Sequence, residues 1–455
     1  MQIFKRKAYK ELLEWKNRKG ERAILIEGPR GVGKTTLAVE FAKNEYDSYI
    51  LIDFYKQNIP LKIFDDIYHL DLFFNRLQAY TNINLTRRKS LIIFDDVQYF
   101  PKARQAIKYL VADGRYDYIE TGSFVSAYKN VKDITIPSEE SKMDLYPLDF
   151  EEFLAVCPNK QNLYEILGDV YKYNKPMGCV NSSLVNDYLL YMAIGGMPKV
   201  VETFINGGNF NEIDKIKREI LKSFEDEFNH FDPSGRLNKM FNSIPTQLFP
   251  KQKRYVISKA TGKKKTSKDV SLVWDLESSK TVLRCNNIFE PHLRLAGWED
   301  YDNFKLYVCD TGLLVSMLVN SKQEEYKKLY FKLLFNHLPA NLGFLYENAV
   351  AQELLASGYK LYNHSWEREN STHYYQIDFL IRGGDKLIPF EVKSGNINKH
   401  ASSDEFLKKY QGLSDHSYVV SQYDLIKNEQ VTILPIYLLS YYLKDFYHKG
   451  RSPII

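Results

Sequence analysis

Four short apolar runs punctuate the first third of the chain: AILIEG (23–28), YILIDF (49–54), SLIIFDD (90–96) and YDYIETGS (116–123). Continuous apolar runs of this length, bounded by polar residues or glycine, predict strands buried on both faces. The segments between them carry the helical period instead: KTTLAVEFAKNEY (34–46), IYHLDLFFNRLQAY (67–80) and PKARQAIKYLVADG (101–114). The last has Pro101 in its first turn, where a missing N–H costs nothing, and Gly114 as its stop. Strands alternating with helices predict a parallel sheet with right-handed crossovers.

From residue 148 to about 245 the pattern turns helical, with breaks at KPMG (175–178), GGMP (195–198) and NGG (206–208). Residues 246–300 mix short helical stretches with VISK and TVLRC, which predicts a compact helical unit with a small hairpin. After FKLYVCDTGLL (304–314), a helical stretch leads to GFLYENAVAQELLASG (343–358). Two strand patterns follow, YQIDFLI (375–381) and LIPFEVKSG (387–395), with Gly383-Gly384 turning the chain between them.

A chain of 455 residues is too long for a single core and predicts two to four domains. Apolar residues at 44% and charged residues at 26% exclude wholesale disorder. Lys and Arg number 62 against 57 Asp and Glu, a net charge of +5, which excludes a histone-like polycation. The four cysteines lie far apart without a C-x-x-C pair, so neither a disulfide framework nor a zinc site is expected, and a reducing compartment is. The charged N-terminal residues lack the apolar segment of a secretion signal. The longest uncharged apolar-rich run, Val431 to Leu443, contains Pro435 and is too short for a bilayer. A cytoplasmic chain with no membrane partner is the expectation.

Residues 28–35 read Gly28-Pro29-Arg30-Gly31-Val32-Gly33-Lys34-Thr35, with Thr36 following, a full match to G-x-x-x-x-G-K-[ST]. The match lies where the chemistry needs it, after an apolar strand and at the start of a helix. Glycines let backbone N–H groups curl around phosphate oxygens, and the helix N-terminus adds positive partial charge. Lys34 is expected to reach the β- and γ-phosphates of ATP, and the Thr35 hydroxyl to ligate Mg²⁺. LIIFDD then ends a strand in Asp95-Asp96, at the carboxyl edge where open parallel sheets bind ligands. Asp95 is expected in the Mg²⁺ shell, and Asp96 as the group that orients or deprotonates the attacking water. Thr121 and Ser123, ending the next strand, are candidate sensors of the γ-phosphate.

A second constellation lies near the C-terminus. Asp378 precedes Glu391-Val392-Lys393 by thirteen residues. Positions i and i+2 of a strand share a face, so Glu391 and Lys393 point together, towards Asp378 if the strands pair as a hairpin. Two carboxylates on a Mg²⁺ or Mn²⁺ ion, with a lysine beside them, suit phosphodiester hydrolysis. In between, residues 251–268 hold eight Lys or Arg and no acid, a run able to neutralise DNA phosphates or simply to be solvated.

These segments resemble the AAA-family, signal-transduction-like P-loop ATPases of bacteria and archaea that carry a C-terminal restriction-nuclease-like domain. GPRGVGKTT, LIIFDDVQ, ETGS, YPLDFEEFL, GGMPKVV, YVCDTGLL, GFLYENAVAQEL, IDFLI and FEVKSG run in that family's order. The resemblance implies an α/β chain: a P-loop parallel-sheet domain (1–145), a helical lid with a winged-helix unit (146–300), and a restriction-endonuclease-like α/β domain (301–455). It also implies a lid motif with Gly196 and with Pro198 near adenine, a further metal ligand at Glu347, and a wing at GKKK that follows a DNA backbone. Asp-Glu is common where this chain has Asp95-Asp96, and an acid is common where it has Gln376. The function so implied is a Mg²⁺-dependent ATPase whose nucleotide state gates a nuclease-like domain acting on or binding DNA. The alternative is a signalling or scaffold ATPase switch, with a homo-oligomer or a protein partner as its assembly, whose C-terminal module binds protein or nucleic acid without cutting. Arg104 and Arg115 are candidates for an arginine acting on a neighbouring subunit.

Overall fold

The computed structural model describes residues 4–18, 20–249, 254–319, 323–334, 343–368, 373–395, 397 and 400–450. The chain divides into two compact units, the first formed by residues 1–146, 223–237 and 266–281, the second by 147–222, 238–265 and 282–455.

In the first unit, strands β1 (Ala23–Glu27), β2 (Ser48–Asp53), β3 (Ser90–Asp95), β4 (Asp117–Gly122) and β5 (Glu140–Asp144) form one sheet. Its order is β2-β3-β4-β1-β5, and every neighbouring pair is parallel. Both faces are covered, which is why the strands read as unbroken apolar runs. Ala23 and Leu25 pack on one side with Phe94, Phe73 and Ile107. Ile24 and Ile26 pack on the other with Leu12 and Phe41. This is the α/β sheet of a P-loop NTPase, and β3 stands one strand away from β1, so its carboxyl end faces the loop that leaves β1. The fifth strand escapes a sequence reading because only Glu140 and Met143 of its residues are buried; it is an edge strand with a polar outer face.

Two later segments complete the first unit. The C-terminal half of helix Phe210–Phe231 belongs to it, with Phe231 stacked on Phe124 at 4.3 Å between ring centroids. Helix Ser267–Ser278 also belongs to it, and its Asp269 pairs with Arg236 at 2.8 Å.

The second unit holds two sheets. One has the order β7-β6-β8-β9, from β6 (Val282–Ile288), β7 (Glu299–Val308), β8 (Tyr362–Glu367) and β9 (Tyr374–Ile377). The other has the order β10-β11-β12-β14-β13, from β10 (Phe379–Gly383), β11 (Lys386–Lys393), β12 (Ser417–Ser421), β13 (Ile426–Lys427) and β14 (Val431–Pro435). Strand β7 runs across the 300/301 position where a boundary was expected. The expected strand 375–381 is broken at Asp378: β9 pairs with β8, β10 pairs with β11, and the chain changes sheets between them. The turn after β10 uses Gly384 at φ 68°, a left-handed conformation that glycine adopts freely.

The middle segment departs from the expected pattern. The last three residues of VISK are helical, within Ile257–Thr261, while TVLRC enters β6 at Val282. GKKK is a turn between helices Ile257–Thr261 and Ser267–Ser278, not a wing; the antiparallel hairpin is β6 with β7. The start of the basic run, 251–253, lies outside the described residues. Among the described residues, no helix is long and apolar enough to cross a membrane, and the four cysteines are unpaired thiols.

Candidate functional site

The phosphate loop leaves β1 and enters helix Lys34–Glu45 through Gly33 at φ 98°, with Gly31 at φ 79°. Both values lie in the left-handed region, so a side chain at either would strain the curl that exposes the N–H groups. Gly28 is fixed by space instead: a Cβ there would stand 2.4 Å from the Leu145 carbonyl oxygen. Val32 is buried beneath the loop, and Arg30 lies over the Tyr55 ring at 5.1 Å.

Lys34 is buried, and its Nζ donates to the carbonyls of Gly28 at 2.9 Å and Pro29 at 3.1 Å. Burial pulls its pKa below the ordinary value, against the charges of Asp96, Glu227 and Asp95. Thr35 Oγ1 donates to Asp95 Oδ1 at 2.7 Å, joining the helix start to the end of β3. Asp95 also accepts from the Thr121 hydroxyl, and burial pushes its carboxyl up in pKa. Asp96, at φ 57°, accepts from Gln98 Nε2 at 2.9 Å, and its N–H donates to Thr121 Oγ1 at 3.2 Å. Thr36 is the third residue of helix Lys34–Glu45. Thus Lys34, Thr35, Asp95, Asp96 and Thr121 come together.

Three further groups join this site. Asp53 ends β2 in register with Asp95, and Asp53, Asp95 and Asp96 have carboxylate oxygens within 4.8 Å of one another. Glu227 receives a hydrogen bond from Ser123 Oγ. Gln98 bridges towards both Asp96 and Ser123, the latter at 3.5 Å. Asp53 could have been found from the parallel register of strands that each end in Asp; Glu227 could not.

The candidate arginines resolve differently. Arg104 is 1% exposed and clamps Glu140 through two 2.7 Å bonds, so it is unable to reach a neighbouring subunit. Arg115 is held by Asp113 at 2.7 Å and Asp71 at 2.6 Å.

In the second unit, Asp378, Glu391, Lys393 and Glu347 line one cavity of about 150 Å³ with Lys305, Gln376 and others. Every one of its carboxylates is already answered. Glu347, on helix Phe344–Ala356, accepts from Lys305 Nζ and from the Tyr307 hydroxyl, both at 3.1 Å. Asp378 lies 3.8 Å from Lys305 and accepts from the Val392 N–H at 2.9 Å. Glu391 pairs with Lys393 at 2.6 Å and accepts from Ser403 at 2.9 Å. Burial pushes Asp378 up in pKa, with Glu347 adding to it and Lys305 opposing. Burial works against the Lys305 charge, but Glu347 and Asp378 outweigh it and hold its pKa above the ordinary value. Among the described residues, these three acids do not meet the mutual 4.8 Å spacing that Asp53, Asp95 and Asp96 do. The donor set therefore does not fit a divalent ion as it stands, because an ammonium group already occupies the space between Glu347 and Asp378.

Pro198 opens helix Pro198–Ile205 in the second unit. The preceding glycines are committed to packing: Gly196 N–H donates to Asp310 at 2.6 Å, and its carbonyl accepts from Leu148 N–H at 2.8 Å. Asp310 also caps helix Thr311–Met317 through Leu313 N–H at 2.8 Å. GGMP, YPLDF and CDTGLL are thereby one buried knot, and a Cβ on Gly196 would stand 2.0 Å from the Leu148 oxygen.

Residues 20–154 match the family described as AAA domain. Residues 185–324 and 342–439 match two domains of unknown function, DUF8612 and DUF4143. No curated protein matches the chain. Among solved structures, a Walker-type ATPase of Pyrococcus abyssi is similar at 15% identity and TM-score 0.44, over 70% of this chain and 96% of that one. A signal transduction ATPase with a tetratricopeptide repeat sensor from Pyrococcus horikoshii is similar at 14% identity and TM-score 0.28, over 78% and 50%. The Aeropyrum pernix ORC1 protein, solved in complex with DNA, is similar at 10% identity and TM-score 0.30, over 74% and 95%. At TM-scores below 0.5 these likenesses say nothing about function. The AAA match and the parallel sheet with its phosphate loop place an AAA-type, ATP-binding ATPase domain at the N-terminus.

Proposed function

We propose that the chain is an ATP-driven switch whose C-terminal module binds a partner without cutting it. The observation that carries the first half is the Thr35–Asp95 hydrogen bond, which puts a hydroxyl and a carboxylate oxygen 2.7 Å apart at the mouth of the loop. Those two residues would hold Mg²⁺, which neutralises phosphate charge when bound. The backbone N–H groups of 30–36 and the Lys34 ammonium bind the phosphates. Asp96, steered by Gln98, orients the attacking water and takes its proton as the new P–O bond forms and ADP leaves. Phosphate release from ATP by the purified chain tests this half.

We assign the ATPase body to residues 1–145 with the two later segments of the first unit, followed by a lid and winged-helix region and, from about 301, a restriction-nuclease-like module. The order helix, β8, β9–β10, β11, helix Ala401–Lys409, β12 supports the last. The ammonium-filled carboxylate cluster favours binding over cleavage at that module. DNA is the proposed partner of the chain, supported by the exposed Lys263 and Lys264 in the region that precedes this module; Lys265 pairs with Asp302. Gel-shift titration of the full chain should show salt-dependent DNA binding with the DNA intact under Mg²⁺ or Mn²⁺. Replacing Lys263 and Lys264 by Ala should flatten the salt dependence by roughly one unit of slope per lost phosphate contact. Cleavage that disappears in Lys393→Ala would reinstate the nuclease reading.

A further inference from the structure

Strand β7 carries Lys305 and Tyr307 two positions apart, on the same face of the strand. Both reach the same carboxylate oxygen: Lys305 Nζ and the Tyr307 hydroxyl each donate to Glu347 Oε2 at 3.1 Å. The next residue of each element ties the backbone down. Val308 N–H donates to Asn348 Oδ1 at 2.8 Å, and Asn348 Nδ2 donates to the Val308 carbonyl at 3.0 Å. The Lys305 ammonium is thereby fixed 3.1 Å from Glu347 and 3.8 Å from Asp378, with its side chain 7% exposed. Lys393 is taken by Glu391, at 2.6 Å. Strand β7 precedes helix Phe344–Ala356 and the strands that bear the acids, so this cation comes from outside the segment that holds them.

We propose that Lys305 is the resident cation of the carboxylate cluster: its ammonium takes the place of a divalent ion between Glu347 and Asp378 and keeps the cluster free of metal. The inference rests on the reading of this module as one that binds without cutting, and it names the residue responsible. Three carboxylates, Glu347, Asp378 and Glu391, line the cavity with two ammonium groups, Lys305 and Lys393. One negative charge is left over, too little to draw a dication out of water into a largely buried site. Without Lys305 two negative charges are left, which a divalent ion neutralises. Hard dications take carboxylate oxygens as ligands, and those of Glu347 and Asp378 are the ones the ammonium now bridges. The cavity of about 150 Å³ leaves room for the waters that a bound ion keeps.

Lys305→Met keeps an unbranched side chain of similar length and removes the charge. Mn²⁺ binding to the full chain without nucleotide, counted by electron paramagnetic resonance, reads the effect. The variant should hold one Mn²⁺ more than the wild type, with affinity at that site raised about 100-fold, the scale of removing a like charge roughly 4 Å from the ion. Lys305→Met combined with Asp378→Asn should return to the wild-type count. That double variant separates this site from Asp53, Asp95 and Asp96, which are intact in all three proteins. If the uncompensated acids loosen Lys305→Met, Mn²⁺ should raise its melting temperature by more than that of the double variant. The wild-type Mn²⁺ count in Lys305→Met without that difference in melting temperature, or an extra ion that survives Asp378→Asn, overturns the assignment. Mn²⁺-dependent DNA cleavage by the wild type that Asp378→Asn abolishes would instead overturn the non-cutting reading beneath it.

Discussion

Lys34→Ala is expected to remove measurable ATP binding and hydrolysis. The ammonium is buried among the Gly28 and Pro29 carbonyls and the acids Asp96, Glu227 and Asp95. Its replacement leaves three acids facing the incoming phosphates without the cation that offsets them. Loss of a single preorganised electrostatic contact costs about 100- to 1000-fold, and a whole charge in a buried site sits at the upper end of that range. Thermal unfolding gives a direct readout. ATP–Mg²⁺ at 100 times its dissociation constant stabilises the wild type by about 2.7 kcal/mol, and the variant should show no shift. Equal stabilisation of both proteins would mean that the nucleotide binds elsewhere.

Arg104→Ala should produce the largest loss of stability. Its guanidinium holds Glu140 bidentately and donates to the Val125 carbonyl at 3.1 Å, all buried. Glu120 on β4 lies in the same cluster, its pKa driven well up by burial and then by Glu140, with Arg104 opposing. Removing the arginine leaves Glu140 buried without its cation, at a cost of about 3–5 kcal/mol. Hydrogen exchange of the β1, β4 and β5 amides should show protection falling accordingly. Arg104→Met combined with Glu140→Leu should recover most of the loss, because well-packed apolar groups replace buried ion pairs at little cost. A loss under about 1 kcal/mol in Arg104→Ala would show that the pair is solvated in a way its burial does not suggest.

The parts of the fold that were legible in the sequence are those with local causes. Strands β1 to β4 announce themselves as apolar runs because helices cover both faces of the sheet, and the phosphate loop is a contiguous motif. The parts that were not legible have distant causes. Gly196 reads as a lid motif, but its partners Asp310 and Leu148 are 114 and 48 residues away. Lys305 sits in an ordinary strand pattern and becomes part of the acidic cluster only when β7 packs beside helix Phe344–Ala356, 42 residues on. Glu227 has no local signature at all. Asp378 shows the middle case: the sequence places it in a strand, and the structure shows why it can turn inwards, since the chain changes sheets at that residue.

In the proposed mechanism the first unit hydrolyses ATP with Asp96 acting on the water while Lys34 and Thr35 hold the nucleotide. Single-turnover hydrolysis by Asp96→Asn, measured beside its ATP affinity, tests it most directly. The amide keeps the side chain's shape and its contact with Gln98, but accepts a proton poorly. ATP affinity should stay within a few-fold of wild type while the rate falls by about 100-fold or more, the scale of a lost general base. Hydrolysis at the wild-type rate in Asp96→Asn, or a wild-type chain that binds ATP without ever releasing phosphate, would contradict it.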